Sequence, residues 1–323
     1  MRFLKSEAGA IILWLAASLF VAALLTPYLY DAGKDLALSA ETADYPAIIE
    51  SVAGSAARAE PDRFFSRALL IGGLALVPLL VRRIKAIPRD PAFIPPPKSK
   101  LGWKQGLAQL GTGLLVGATT LGALAIILHL TGAAVPKGEA ITASRFFSKA
   151  LVPALGAGVI EELVFRGLIL GLWLRASPVW IAWIGSSLFF AFVHFLKAPP
   201  GMEISDPRAW HAGLEILGNT LGHFTNPMFF VTEFTALAVL GLILAWSRTR
   251  TSALWFPIGL HAGLVLALKT FTLTCVVDTN SPLHPWFIGT DLKTGILPIL
   301  TLGICFVACS FAVRLFEKPT AIR

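Results

Sequence analysis

Apolar residues fill this chain in long stretches, and polar residues gather in short breaks between them. Eight apolar runs are long enough to cross about 30 Å of hydrocarbon at 1.5 Å per residue. They cover residues 9–30, 64–81, 106–132, 148–174, 178–198, 227–247, 252–273 and 295–316. The pattern predicts an all-α fold, a polytopic membrane helical bundle of about eight transmembrane helices. The segment 31–62 is polar and Ala-rich and is expected outside the membrane, with a short helix or two. The segment 199–226 opens with Pro199-Pro-Gly201 and then places Trp210, Leu214, Leu217 and Leu221 on one helical face, as a helix lying along the outer interface would. The stretch from Arg82 to Lys104 contains Pro95-Pro-Pro97, a stiff polyproline boundary. It divides the chain into an N-terminal helix pair with its basic loop, residues 1–105, and a six-helix domain, residues 106–323. No fixed-period repeat or low-complexity tract interrupts this plan.

Charge orients the runs. Arg2 and Lys5 precede the first, and seven Lys/Arg with a single Asp lie between Arg82 and Lys104. Arg175, then Arg248 with Arg250, then Arg314 with Lys318 mark every second later boundary. All these clusters fall on one side if all eight runs span, which places both termini in the cytoplasm; the expected site is a bacterial inner membrane. Composition agrees: mean hydropathy is +0.73 and only 14% of the 323 residues are charged, against about 25% in soluble domains. The first run has no Ala-x-Ala-like cleavage site after it, so it reads as a span, not a removed signal. The net charge of +8 is accounted for by these loops; membrane lipid is the expected partner, and nucleic acid is not. Of the three cysteines, Cys275, Cys305 and Cys309, the last two lie one turn apart in the last run and read as small apolar fillers, with a disulfide or metal site as the alternative.

The chemistry concentrates in the run Val159-Ile-Glu-Glu-Leu-Val-Phe-Arg-Gly167. An ionisable residue at mid-bilayer costs about 2.5–3.5 kcal/mol, so Glu161, Glu162 and Arg166 together cost roughly 8–10. The thirteen Leu, Ile, Val and Phe residues between Ala150 and Leu174 offset only about 4–8 kcal/mol on the same scale. Such charges belong in a protein interior or a wet cavity, which marks a functional site. Arg166 lies four residues after Glu162, a favourable helical spacing, so this pair reads as structural. Glu161 projects about 100° away and is left for acid–base work. Two later runs carry histidines, His194 and His261. Each is either a hydrogen-bonded packing residue or a partner for the carboxylate. Pro257, four residues before His261, is expected to kink its helix. By helical rise, Glu161 lies about 18 Å past Lys149 and His261 about 16 Å past Arg250, near mid-membrane. His194 lies about 24 Å past Pro178 and is somewhat off that level.

Glu161-Glu-x-x-x-Arg166, then Phe190-x-x-x-His194, then an apolar helix carrying His261 resembles the CPBP family. These are glutamic intramembrane proteases that include the CAAX prenyl endopeptidases, and the resemblance covers roughly residues 148–272. It implies that Glu161 activates water, His194 assists proton transfer and His261 steadies the oxyanion, with Glu162 and Arg166 in support. It implies an endopeptidase acting on a membrane-associated protein or peptide, without a cofactor. A zinc site on Glu161, His194 and His261 is the alternative chemistry. One position departs from the family: Val265 stands where Asn or Asp is usual, four residues after His261. Loss of an oxyanion donor typically costs about 10²–10³ in turnover. Lys269, one turn further on, is a candidate replacement unless it snorkels to the interface. A non-enzymatic scaffold of the same fold and a proton-coupled transporter are the rival functions. A relay would string its Glu and His residues across the membrane, whereas a protease would gather them.

Overall fold

The computed structural model describes residues 6–87, 101–175, 177–196, 203–222 and 233–316. Arg2, Lys5, Pro95 to Pro97, Pro199 to Gly201 and Lys318 lie outside the described residues. The elements are α1 (Glu7–Ser39), α2 (Ala47–Ala57), α3 (Pro61–Lys85), α4 (Trp103–Leu130), β1 (Ala134–Pro136) and α5 (Ala143–Phe146). A π turn (Phe147–Leu151), α6 (Val152–Glu162), a second π turn (Leu163–Ile169) and α7 (Leu170–Trp173) continue the path of α5. Then come α8 (Val179–His194), α9 (Ala212–Gly222), α10 (Thr235–Thr251), α11 (Trp255–Thr274), β2 (Cys275–Val277) and α12 (Ile296–Arg314).

The protein is an all-helical membrane bundle, with one short ribbon among the described residues. Among those residues five helices, α1, α3, α4, α11 and α12, are long and apolar enough to cross a membrane. The other three apolar runs are helical but shorter or broken. α8 has 16 residues and α10 has 17, about 24–26 Å each by helical rise. The run 148–174 is interrupted by the two π turns.

Local chemistry sets several ends. Ser6 caps α1 by accepting from the Gly9 N–H at 3.1 Å, and Thr142 caps α5 by accepting from the Arg145 N–H at 3.2 Å. Pro61 opens α3, where a missing N–H costs nothing. The same reasoning corrects the expected kink at Pro257. α11 begins at Trp255, so the proline sits in its first turn and no helix precedes it to be bent. Gly132, at φ 75°, turns the chain back after α4. That lets β1 pair antiparallel with β2, Ala134 opposite Val277 and Pro136 opposite Cys275.

The described chain forms two compact units. The first comprises residues 1–88 and 193–227. In it α1 and α3 run antiparallel: Trp14 Nε1 donates to the Gly73 carbonyl at 3.1 Å, and Tyr30 meets the Phe64 ring edge-on at 5.3 Å. Ala22, Ala23, Phe65 and Ala68 pack there with Ile216 of α9. The buried side of α9 is Ala212, Gly213, Ile216 and Thr220. A side chain at Gly213 would strike the Ala23 carbonyl, so the small-residue face is the one that can approach α1. Leu214 and Leu217 are half-buried, Leu221 is exposed, and Trp210 precedes the helix.

The second unit comprises residues 89–192 and 228–323. Its centre is the parallel pair α4–α11. Gly113 and Gly117 face the backbone of α11, and Gly259 and Gly263 face the backbone of α4, so tightly that a Cβ at any of the four would clash. Such reciprocal small-xxx-small contacts let membrane helices touch through their backbones, where packing is the main attraction left. α6 descends antiparallel on another side of α11. There an added Cβ at Gly158 would lie 2.9 Å from both Ala262 Cβ and the Ile258 carbonyl oxygen. Leu121, Leu124, Phe256, Leu260, Leu264, Cys305 and Cys309 belong to the surrounding core, with all three cysteines as free thiols.

Candidate active site

The close approach at Gly158 determines what happens one turn later. α6 ends at Glu162, pressed against α11, and the chain enters the second π turn there. π turns inside helices are frequent at functional sites. Glu162 Oε1 accepts two bonds: from Arg166 Nη1 at 2.9 Å and from His261 Nδ1 at 2.9 Å. Glu162, Arg166 and His261 are 0%, 3% and 3% exposed, so the whole arrangement is cut off from water. Arg166 Nη2 also donates to the Gly241 carbonyl of α10 at 3.3 Å. Gly241 is itself a close-contact position, because a Cβ there would lie 2.8 Å from Ser187 Cβ on α8. Buried charge is tolerated when it is paired and hydrogen-bonded. Here one carboxylate oxygen does that work, and Glu162 Oε2 has no hydrogen-bond partner among the described residues.

An ionised carboxylate only accepts, so Glu162 requires the proton to be on His261 Nδ1. Nε2 is then the nitrogen turned outward. It lies 3.8 Å from Glu161 Oε2, whose side chain is 30% exposed. The two adjacent glutamates therefore straddle one imidazole. Sequence periodicity suggests that residues 100° apart serve separate surroundings. The divergent directions of the two ring nitrogens let both reach the same residue. A separation of 3.8 Å is too long for a direct hydrogen bond.

Phe190 of α8 completes the site. It is fully buried, its ring lies 4.3 Å from the Arg166 guanidinium, and it meets His261 edge-on at 6.1 Å and Phe165 at 4.9 Å. A desolvated cation on an aromatic face is worth about 2 kcal/mol or more. Phe190 thus touches both the cation and the imidazole of the network. Its only sequence signal is that it opens Phe-x-x-x-His. Gly241 has no such signal, because its role is to bring a carbonyl to Arg166 across 75 residues of chain.

The remaining residues singled out in the sequence stand differently. His194 is the last residue of α8, half-buried, one turn beyond Phe190 along that helix, and it groups with the first unit. Lys269 is exposed and lies about 12 Å of helical rise past His261, so the structure does not bring it to the imidazole. Val265 is half-buried between them. Among the described residues no group of three or more His, Cys, Asp or Glu is placed to hold a metal ion. Glu161 and His261 Nε2 would be two donors of such a set, since Nδ1 is already engaged.

Residues 143–267 match the family model described as type II CAAX prenyl endopeptidase Rce1-like. No curated protein and no solved structure matches the chain. The matched stretch runs from α5 into α11 and contains Glu161, Glu162, Arg166, Phe190, His194, His261 and Val265, but not Lys269. It agrees with the CPBP and CAAX-protease resemblance carried by the motifs.

Proposed function

We propose that this integral membrane protein is an intramembrane endopeptidase of CPBP type, hydrolysing a peptide bond of a membrane-associated protein or peptide. The observation that carries the reading is the straddled imidazole. His261 Nδ1 is fixed at 2.9 Å on a buried carboxylate, and Nε2 faces a second, part-exposed carboxylate at 3.8 Å. In this reading Glu161 takes the proton of the attacking water, a step worth about 10²–10⁴-fold. His261, held by Glu162, presents Nε2 to the reacting carbonyl and, when protonated, donates to the developing oxyanion. Arg166 holds Glu162 in place through its 2.9 Å bond, and Phe190 packs on Arg166. Clustering at one level of the second unit favours a protease over a proton relay strung across the membrane. Val265 offers no oxyanion donor, which supports the second reading, a non-enzymatic scaffold of the same fold. The substrate meets the site from the membrane, the basic helix ends face the cytoplasm of a bacterial cell, and no metal or cofactor is required.

The test is purified protein in liposomes with a library of membrane-anchored peptides, prenylated and unprenylated, and products read by mass spectrometry. Cleavage by the wild type, insensitive to chelators and lost in a folded Glu161→Gln variant, is expected. Undiminished cleavage by Glu161→Gln would overturn the role of Glu161, and inhibition by chelators would favour zinc. No cleavage by the wild type would favour the scaffold.

A further inference from the structure

The helices of the second unit set the distance between its two ends. Phe316, just past α12, lies 6.4 Å from Phe256 in the first turn of α11. Midway along α12, the Cys305 thiol meets the Thr120 side chain in the second half of α4. α12 therefore runs antiparallel to the α4–α11 pair and begins at the end where α11 finishes. By helical rise, Thr274 lies about 27 Å from Phe256, and Ile296 about 30 Å from Phe316. Both lengths match the hydrocarbon layer of a bilayer, about 30 Å thick. Arg248 and Arg250 in the last turn of α10 and Arg314 at the end of α12 mark one boundary. Thr274 and Ile296 mark the other.

At that second boundary the structure exposes apolar side chains. β2 follows α11 directly, and β1 starts shortly after α4. In the ribbon Val135 stands opposite Val276. The two are 42% and 47% exposed, while Ala134 and Val277 are buried. Trp286 and Phe287 are 56% and 46% exposed. They lie at the same boundary, because their carbonyls accept from the Ile296 and Leu297 N–H groups, in the first turn of α12, at 3.0 and 2.9 Å. Ile288, next in the chain, is fully buried and belongs to the same core as Ala134 and Val277. Leu130 at the end of α4 and Ile296 at the start of α12 are exposed as well, so the apolar surface continues from the helices to the connections between them.

An antiparallel ribbon with one face on a core and the other in water turns polar residues outward. Here the outward pair is valine. Tryptophan is enriched where membrane meets water, with its ring at headgroup level. The free backbone edges of a two-stranded ribbon are not tolerated in hydrocarbon, so this layer belongs where headgroups and water can still bond them. We propose that Val135, Val276, Trp286 and Phe287 form an anchoring surface seated on lipid at the headgroup–acyl boundary of the bilayer. The connections after α4 and α11 are then part of the membrane-bound surface, not an aqueous cap. This anchoring is independent of the proteolytic reading, since none of the four residues belongs to the Glu162–His261 network.

Nitroxide labels on the full chain in phosphatidylcholine liposomes test it. V276C, W286C and N280C are each made in a C275S background; Cys305 and Cys309 are fully buried and stay unlabelled. Asn280 is exposed on the turn beyond β2 and is the aqueous reference. At V276C and W286C, collision with oxygen, which concentrates in lipid, should exceed collision with a water-soluble nickel chelate. At N280C the order should reverse. A nickel rate above the oxygen rate at either V276C or W286C would overturn the proposal, as would the same order at all three sites. Low rates with both reagents at V276C would overturn it in favour of a protein covering the ribbon. If V276C does not fold, V135C, its cross-strand neighbour, decides by the same comparison.

Discussion

The pairs α1–α3 and α4–α11 both pack through glycine, and they differ in what lies across the contact. In α1–α3, Gly72 of α3 faces a side chain, with Val21 Cγ1 3.0 Å from an added Cβ. The polar contacts around that pair include a neutral indole bond to Gly73 and, further out, the exposed pair Arg208–Asp31. In α4–α11, glycines on both helices meet backbone on the other. α11, clamped on that face, offers His261 to α6 on another. The first contact can yield by moving a side chain; the second cannot yield without moving a helix. A buried ion network needs the second kind of support, because a charge left unpaired there has no water to turn to.

The sharpest way to break this comparison is to remove one partner from the network. Arg166→Ala leaves Glu162 charged at a site with 0% exposure. It should destabilise the protein by about 3–5 kcal/mol. Arg166→Ala combined with Glu162→Gln should recover part of that loss. Unfolding of the purified protein in mild detergent measures both, and a loss below about 1 kcal/mol in Arg166→Ala would contradict a buried, obligate pair.

Alanine in the two glycine contacts should separate them next. Gly259→Ala places a Cβ on the Leu110 carbonyl, and an overpacked contact of this kind costs about 1–3 kcal/mol. Gly72→Ala meets Val21 Cγ1 at 3.0 Å and backbone no closer than the Ser18 carbonyl at 3.6 Å, and it gains about 1 kcal/mol of helix propensity, so its melting temperature should fall less than that of Gly259→Ala. Equal losses in the two variants would remove the distinction between them.

The smallest effect lies outside the membrane-spanning segments. Arg145 Nη1 donates to Glu139 Oε2 at 2.6 Å, and this hydrogen bond, then the Arg145 charge, holds the Glu139 carboxyl below its ordinary value of 4.5. A lowered folded-state value means the stabilisation is present above about 4.5 and fades as pH falls through the lowered value. Glu139→Gln should therefore melt slightly earlier than wild type at neutral pH and converge with it in acid. A difference that grows on acidification would reverse the sign.

Local periodicity made much of this protein legible. Apolar runs of spanning length can only satisfy their backbones as helices in a bilayer, and all eight are helical in at least part of their length. The four-residue spacing of Glu162 and Arg166 brings their charges together along one helix, so that pair could be read without knowing the fold. The same reasoning failed at Pro257, because helix starts shift by a residue or two. At α9 it did not show which face packs inward: a small-residue face lies against α1.

Other features depend on helices far apart in the chain. Glu162 and His261 are separated by 99 residues, and no periodicity relates them. That Nδ1 faces Glu162 and Nε2 faces Glu161 follows from the depth at which Gly158 lets α6 slide against α11. Phe190 gained its place on Arg166 and His261 in the same way, from the packing of α8. Residue types and spacing thus settled the helices, the membrane and the internal ion pair, because those depend on interactions within a turn or two. The orientation of the imidazole between two carboxylates came from helix-to-helix contact, because a ring has two nitrogens and only its neighbours in space assign them.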